Sequence, residues 1–489
     1  MVKLNIKNIP EEKIKADVLI IPFLENGFPE TLAPIDLLIG GLIKRVFKSK
    51  EFTGKRGSNT LLHVSNINSD RILLIGLGKQ PDITPETIRQ AGGKAFSFLK
   101  AIGIESIAFS AKRINSLLGT STLKGKPSSY FLEGGLLSLY NFKRYKKPED
   151  CKEISNIIIL EGENQKSLKW IDAKVSATNF ARDLINTPSN DMTPAVLAET
   201  AHSLAGGNVK VKILDTKESL KEGMHAFLSV AKGSAQMPKF IVVDYKGGKG
   251  NPYVIIGKSI TFDSGGISLK PSEGMEKMKY DMAGGAVTLA VIKAASSLQL
   301  PINVVGILPA TENMPGGSAS KPGDVVTSIT GKTIEIVNTD AEGRLALADA
   351  IGYAIKHFNP KGIIDIATLT GACKITFGSE AIAMMGNNQD LMERLKKASE
   401  ETYERVWQMP LYDEYKDYIK SDIAHIKNSG GKNAALLTAG YFLKEFAGDT
   451  PWVHLDIAGA AWNDKDKPYL SKGATGIGVN LILNFLKKN

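Results

Sequence analysis

Short apolar runs separated by helical stretches organise this chain. In its first third, Asp17–Phe23 (DVLIIPF), Arg71–Gly76 (RILLIG) and Ser155–Leu160 (SNIIIL) read as strands, and Pro85–Ala101 reads as a helix. Strands alternating with helices point to an α/β fold. Gln165–Ile185 keeps helical spacing with few breakers and reads as a helix connecting two domains. Asn186–Pro194 (NTPSNDMTP) ends it with two prolines and several turn-formers. The pattern then resumes. Lys239–Tyr245, Tyr253–Gly257, Ile302–Leu308, Thr333–Val337, Gly362–Ala367 and Trp452–Ile457 are β-branched runs without polar alternation. Strands covered on both faces have this signature. In Arg344–His357, the apolar positions Leu347, Ala350, Ile351 and Ala354 form one helical stripe. The expected architecture is therefore α/β in two domains. A smaller N-terminal α/β domain covers 1–162, a connecting helix 163–186, and a larger domain 187–489 has a mixed central sheet flanked by helices. Ligands of such sheets bind outside the carboxyl ends of the strands.

Composition narrows the function classes. Cys151 and Cys373 are the only cysteines among 489 residues, which excludes a disulfide framework or a Cys-rich metal module. No uncharged apolar run approaches the ~18 residues of a membrane helix. The first residues are charged throughout and have no apolar core, unlike a secretory signal, so a cytoplasmic setting is expected. Charge is uneven. Residues 1–150 carry 23 Lys+Arg against 14 Asp+Glu, most of the net +10 of the whole chain. A lysine-rich solvated face accounts for that excess. Attraction to an acidic partner such as nucleic acid, through the basic N-terminal domain, is the alternative.

Several common sites are missing: there is no H-E-x-x-H, no Walker A loop and no G-x-S-x-G elbow. Carboxylates and lysines gather instead just after predicted strands. Gly257–Pro271 (GKSITFDSGGISLKP) carries Lys258, Asp263 and Lys270. Met278–Ala286 (MKYDMAGGA) carries Asp281 before paired glycines. Asn338–Leu345 (NTDAEGRL) carries Asp340, Glu342 and Arg344, spaced by two, which in an extended segment would share one side. Taken singly, each segment has a structural reading: Thr339 or Asp340 as a helix cap, Asp263-Ser264-Gly265-Gly266 as a turn, Lys270 as a solvated surface lysine. Taken together they imply a cost, because four carboxylates in one low-dielectric cleft repel one another. Two divalent cations cancel that charge. Oxygen ligands suit Mn²⁺, Mg²⁺ or Zn²⁺, and two such ions can hold a water whose pKa they lower.

NTDAEGRL, together with GKSITFDSGG and DMAGGA, resembles the leucyl aminopeptidase family, the M17 two-metal cytosolic exopeptidases. ATLTGA (Ala367–Ala372), HLDIAG (His454–Gly459) and KGATGIG (Lys472–Gly478) follow in the family's order. The resemblance implies an aminopeptidase that removes Leu and other neutral N-terminal residues from peptides through a metal-bridging hydroxide. It implies that Lys258, Asp263, Asp281 and Glu342 bind one Mn²⁺ or Zn²⁺ ion, and Asp263, Asp340 and Glu342 the other. Lys270 and Arg344 take the catalytic positions, with bicarbonate at Arg344. Lys270, Met278, Thr368, Leu369 and Gly371 take substrate-binding positions, and the assembly is a homohexamer. Two departures stand out. Ser259 follows Lys258 where the family commonly has glycine, and His425 stands where an acidic residue is expected.

Overall fold

Apart from Thr333–Val337, the apolar runs become strands of two main sheets, one in each compact unit. The computed structural model describes residues 2–25, 27–117, 126–146 and 153–489. Cys151 lies outside the described residues. One unit comprises Met1–Val175 with Lys465–Lys472, and the other Ser176–Asp464 with Gly473–Asn489. The division falls inside the helix Gln165–Asn186.

The first unit contains β1 (Lys3–Lys7), β2 (Val18–Leu24), β3 (Asn59–His63), β4 (Arg71–Gly78), β5 (Ser106–Ser110) and β6 (Asn156–Leu160), in the order β1-β6-β5-β2-β4-β3. All pairs are parallel except β3 with β4. Polar side chains explain why the distant stretch Lys465–Lys472 joins this unit. The Tyr469 hydroxyl donates to Glu86 at 2.9 Å, and Glu86 pairs with the buried Arg89 at 2.8 Å. Glu133 in turn receives the Lys174 ammonium at 2.7 Å.

The second unit holds β7 (Val209–Leu214), β8 (Lys239–Lys246), β9 (Tyr253–Gly257), β10 (Ser259–Asp263), β11 (Asn303–Asn313), β12 (Asp324–Thr327), β13 (Thr333–Ile336), β14 (Gly362–Ala367), β15 (Ile382–Gly386), β16 (Val406–Gln408), β17 (Ile426–Lys427) and β18 (Trp452–Asp456). Its main sheet runs β16-β15-β18-β14-β9-β11-β8-β7, and β10 pairs with the far half of β11. The centre (β18, β14, β9, β11) is parallel; β15 on β18, β8 on β11 and β7 on β8 are antiparallel, and β16 is parallel to β15, so the sheet is mixed as expected. Val254, Ile256, Val305 and Ile307 pack with Leu345, Leu347 and Ile351 of the helix Glu342–Phe358. On the opposite face, Ile292 and Thr288 of the helix Ala283–Leu298 approach Gly306. Each fully buried Val or Ile contributes about 1.5–3 kcal/mol, which makes the two-sided burial of this centre its main source of stability.

Three local expectations change. Thr333–Val337 supplies β13, which lies in a separate three-stranded sheet, β12-β13-β17. Its residues alternate between half-buried and buried, so only one face is covered. Asp340, Glu342 and Arg344 do not share one extended segment, because the helix begins at Glu342. Its N-cap is Ala341, without a side-chain cap, so neither Thr339 nor Asp340 plays that part.

The same helix carries a buried acid. Asp349 accepts the Phe227 N–H and the Ile329 N–H, each at 2.8 Å. Burial outweighs these bonds and pushes its carboxyl up to about 7. In the unfolded chain it titrates near its ordinary value, about 3.9. Between those values the folded chain holds more of the proton, so stability falls as pH rises through this window. We expect the fall in urea midpoint between about pH 5 and pH 8 to be smaller in Asp349→Asn than in wild type. An unchanged fall would contradict this account.

Candidate active site

The carboxyl ends of the central strands deliver the charged groups. The register pairs Gly257 of β9 with Ile366 of β14, so Lys258 leaves one strand beside the start of Thr368–Gly371. The Lys258 N–H donates to the Ile366 carbonyl at 3.1 Å. β10 then runs parallel to β11 with Asp263 opposite Asn313. The Asn313 side chain donates to Asp263 Oδ1 at 2.8 Å and fixes that carboxylate. Asp281 is the second-last residue of the short 3₁₀ segment Met275–Met282, which leads directly into the helix Ala283–Leu298. Asp340 lies in the turn that follows β13, and Glu342 and Arg344 occupy the first turn of the next helix.

Two glycines allow this crowding. Gly265 has φ +89°, a left-handed conformation that L side chains rarely adopt, and a Cβ there would lie 2.9 Å from Asp340 Oδ1. A Cβ on Gly343 would lie 2.4 Å from Lys258 Cε and 2.7 Å from its Nζ. Gly343→Ala should therefore displace the lysine head rather than the backbone. Alanine is favoured over glycine inside a helix by about 0.5–1 kcal/mol, so the melting temperature should hold or rise. Activity should fall on the order of 10²-fold, as expected for a reacting group misplaced by about 1 Å. Thermal melts and peptidase assays on one preparation check both halves.

Every residue singled out as a ligand, catalytic group or substrate contact lines one cavity of about 460 Å³. These are Lys258, Asp263, Lys270, Met278, Asp281, Asp340, Glu342, Arg344, Thr368, Leu369 and Gly371. Lys258 Nζ lies 2.7 Å from Asp281 Oδ2 and 2.8 Å from Glu342 Oε1, and donates to the Thr368 carbonyl at 3.0 Å. Lys270 Nζ lies 2.8 Å from Asp263 Oδ2 and also pairs with Asp340. The Thr368 hydroxyl donates to Asp281 Oδ1 at 2.7 Å. Arg344 is buried; its Nη1 donates to the Asn428 carbonyl at 2.7 Å, and its Nε has no hydrogen-bond partner among the described residues.

Burial and mutual repulsion set the protonation of the cluster. Burial opposes the Lys258 ammonium, but Asp281, Glu342 and Asp263 outweigh it and raise its pKa. Burial likewise opposes Lys270, whose neighbours Asp263, Glu342 and Asp340 raise it. Burial first and Asp263 second push Asp340 and Glu342 above the usual carboxylate range. Asp281 is raised further, by burial and by Asp263 and Glu342 against the pull of Lys258. Arg344 is lowered to about 10, because burial outweighs Glu342, Asp456 and Asp340.

The donor set fits divalent cations. Carboxylate oxygens of Asp263, Asp340 and Glu342 lie within 4.8 Å of one another. Glu342 Oε2 is buried without a hydrogen bond among the described residues, and an acceptor left so is costly unless something binds it. All donors are oxygen or amine, which favours hard or borderline divalent ions.

Sequence reasoning overlooked three supporting residues. Asn313 holds Asp263, and Asn428 carries the carbonyl that Arg344 reaches. Asp456 accepts from the Leu369 N–H at 3.2 Å and the Thr370 hydroxyl at 2.7 Å, anchoring the wall of the cavity. Asn313 and Asp456 share one signal, a polar residue at the end of a mostly apolar strand, whereas Asn428 follows the two-residue strand Ile426–Lys427 and has none. The two departures lie to the side. The Ser259 hydroxyl donates to the Gly257 carbonyl at 2.8 Å. His425 is exposed, accepts the Thr333 N–H at 3.2 Å, and does not line the cavity.

Comparison with known proteins decides what this geometry belongs to. Residues 179–483 match the cytosol aminopeptidase family, catalytic domain, and residues 20–149 match its N-terminal domain. The chain belongs to the cytosol aminopeptidase family. A protein of Geobacter sulfurreducens described as "Probable cytosol aminopeptidase" is 44% identical over 467 residues, covering 93% of each chain. One of the same description from Azotobacter vinelandii is 40% identical and covers 99% of each. A mutant of tomato leucine aminopeptidase superposes with a TM-score of 0.89 at 31% identity, covering 100% of this chain and 97% of the other. The bottromycin maturation enzyme BotP, solved in complex with Mn, superposes with a TM-score of 0.86 at 28% identity, covering 97% of this chain and 99% of the other. The protein is thus an aminopeptidase that acts on peptides and uses divalent metal. Among the described residues no helix is long and apolar enough to cross a membrane.

Proposed function

We propose that this aminopeptidase removes Leu and other neutral residues from the amino termini of peptides, at the cavity built on β9, β10 and β14. The observation that carries the reading is the convergence of four carboxylates and two lysines on one cavity, with Glu342 Oε2 buried and unbonded. Lys258, Asp263, Asp281 and Glu342 would hold one ion, and Asp263, Asp340 and Glu342 the other, as Mn²⁺ or Zn²⁺. Lys258 would give up its proton to act as a ligand. When bound, such ions polarise a peptide carbonyl and make hydroxide available near neutral pH. Lys270, as an ammonium, stabilises the negative charge that develops on the carbonyl oxygen. Arg344 offers a planar fork, with its Nε unpartnered, suited to an oxyanion such as bicarbonate. Met278, Thr368, Leu369 and Gly371 border the space for the first side chain, and a Met- and Leu-lined wall suits apolar residues.

Titrating metal-free protein with Mn²⁺ tests the reading. Hydrolysis of leucine p-nitroanilide should rise with occupancy and level off at two ions per chain. Saturation without turnover would overturn it. We place the enzyme in the cytoplasm as a homohexamer; light scattering at the monomer mass of 52.8 kDa would overturn the assembly.

A further inference from the structure

We propose that Lys374 sets the charge preference of the first-residue pocket, disfavouring Lys and Arg at the peptide amino terminus and admitting neutral and acidic residues. This deepens the reading above and rests on it. The short helix Gly371–Phe377 starts in the cavity wall. Its start is fixed by the Thr370 hydroxyl, which accepts the Cys373 N–H at 3.1 Å and is itself held by Asp456. Cys373 points into the core, fully buried. Gly371 and Lys374, three residues apart, share the other face, and both line the cavity.

Two observations make this face a selector. A Cβ on Gly371 would meet nothing within 4 Å, so open space adjoins it where a substrate side chain can enter. Of the four lysines lining the cavity, Lys258 and Lys270 are each engaged by two carboxylates, whereas Lys374 and Lys432 are exposed with no ion pair or side-chain hydrogen bond among the described residues, and of these two it is Lys374 that shares the helical face of Gly371. An uncommitted ammonium beside an open pocket repels a cationic side chain and attracts an anionic one. Charge placed against the wrong partner is a direct source of specificity.

The test compares kcat/KM for leucine, arginine and glutamate p-nitroanilides in the metal-loaded enzyme. Wild type should turn over the arginine substrate far less well than the leucine one. Lys374→Glu should raise the arginine-to-leucine ratio about tenfold or more and lower the glutamate-to-leucine ratio, as reversing one partly solvated charge at pocket distance implies. Lys374→Met should fall between the two. Lys397→Glu makes the same charge change on the exposed face of the helix Gln389–Thr402, outside the cavity, and should leave the arginine-to-leucine ratio near wild type. Equal arginine and leucine turnover in wild type, an unmoved ratio in Lys374→Glu, or an equal shift in Lys397→Glu would overturn the assignment. Absent leucine turnover in wild type would overturn the underlying reading instead.

Discussion

Lys270→Ala is expected to lose about 10²- to 10³-fold in kcat while still binding two metal ions, the scale seen when one transition-state donor is removed. The side chain is partly open to the cavity, and its ammonium lies 2.8 Å from Asp263 Oδ2 and pairs with Asp340. It is thus held by carboxylates and has room to face a substrate. Loss of an interaction made mainly in the transition state lowers kcat and leaves KM nearly unchanged. Steady-state kinetics with metal analysis on the same sample separate this from a metal-binding defect. If the variant lost its metal, Lys270 would belong to the ligand set instead.

The second large effect is expected at Glu342. Its Oε1 faces the Lys258 ammonium at 2.8 Å, and its Oε2 is buried without a hydrogen bond. Glu342→Gln keeps the shape and an acceptor toward Lys258 but removes the charge. Metal retention should drop, and turnover should fall on the order of 10³-fold, as the loss of several kcal/mol of charge stabilisation implies. The metal-free protein should not lose stability. Burial and Asp263 already push this carboxyl up, so its charge is unfavourable there. Mn²⁺ should raise the melting temperature of wild type through preferential binding to the folded state, and do so much less in the variant. Equal metal-induced shifts would show that Glu342 is not a ligand.

Burial explains which parts of this account could be read from residues alone. Tyr253–Gly257 and Gly362–Ala367 are read correctly because both faces of each strand are covered, which leaves apolar runs broken only by the buried Asp365. β10 escapes detection because Ser259–Asp263 is short, polar at both ends and pairs only with β11. β11 extends to Asn313, well beyond the apolar run Ile302–Leu308, and its polar tail exists to hold Asp263. Lys465–Lys472 joins the first unit through contacts between residues hundreds of positions apart, as in the Tyr469–Glu86 bond, and no local pattern encodes that. The site was more legible than its frame. Each charged segment alone also reads as a cap, a turn or a surface lysine, but three of them just after predicted strands point to one site. Asn313, Asn428 and Asp456 look like ordinary polar residues until their partners are known.

The most direct test is hydrolysis of leucine p-nitroanilide with Mn²⁺, after chelation, and with the N-acetylated substrate in parallel. The account predicts metal-dependent cleavage of the free-amine substrate alone, lost on chelation and restored by Mn²⁺. Cleavage that survives chelation, or equal cleavage of the acetylated substrate, would contradict it.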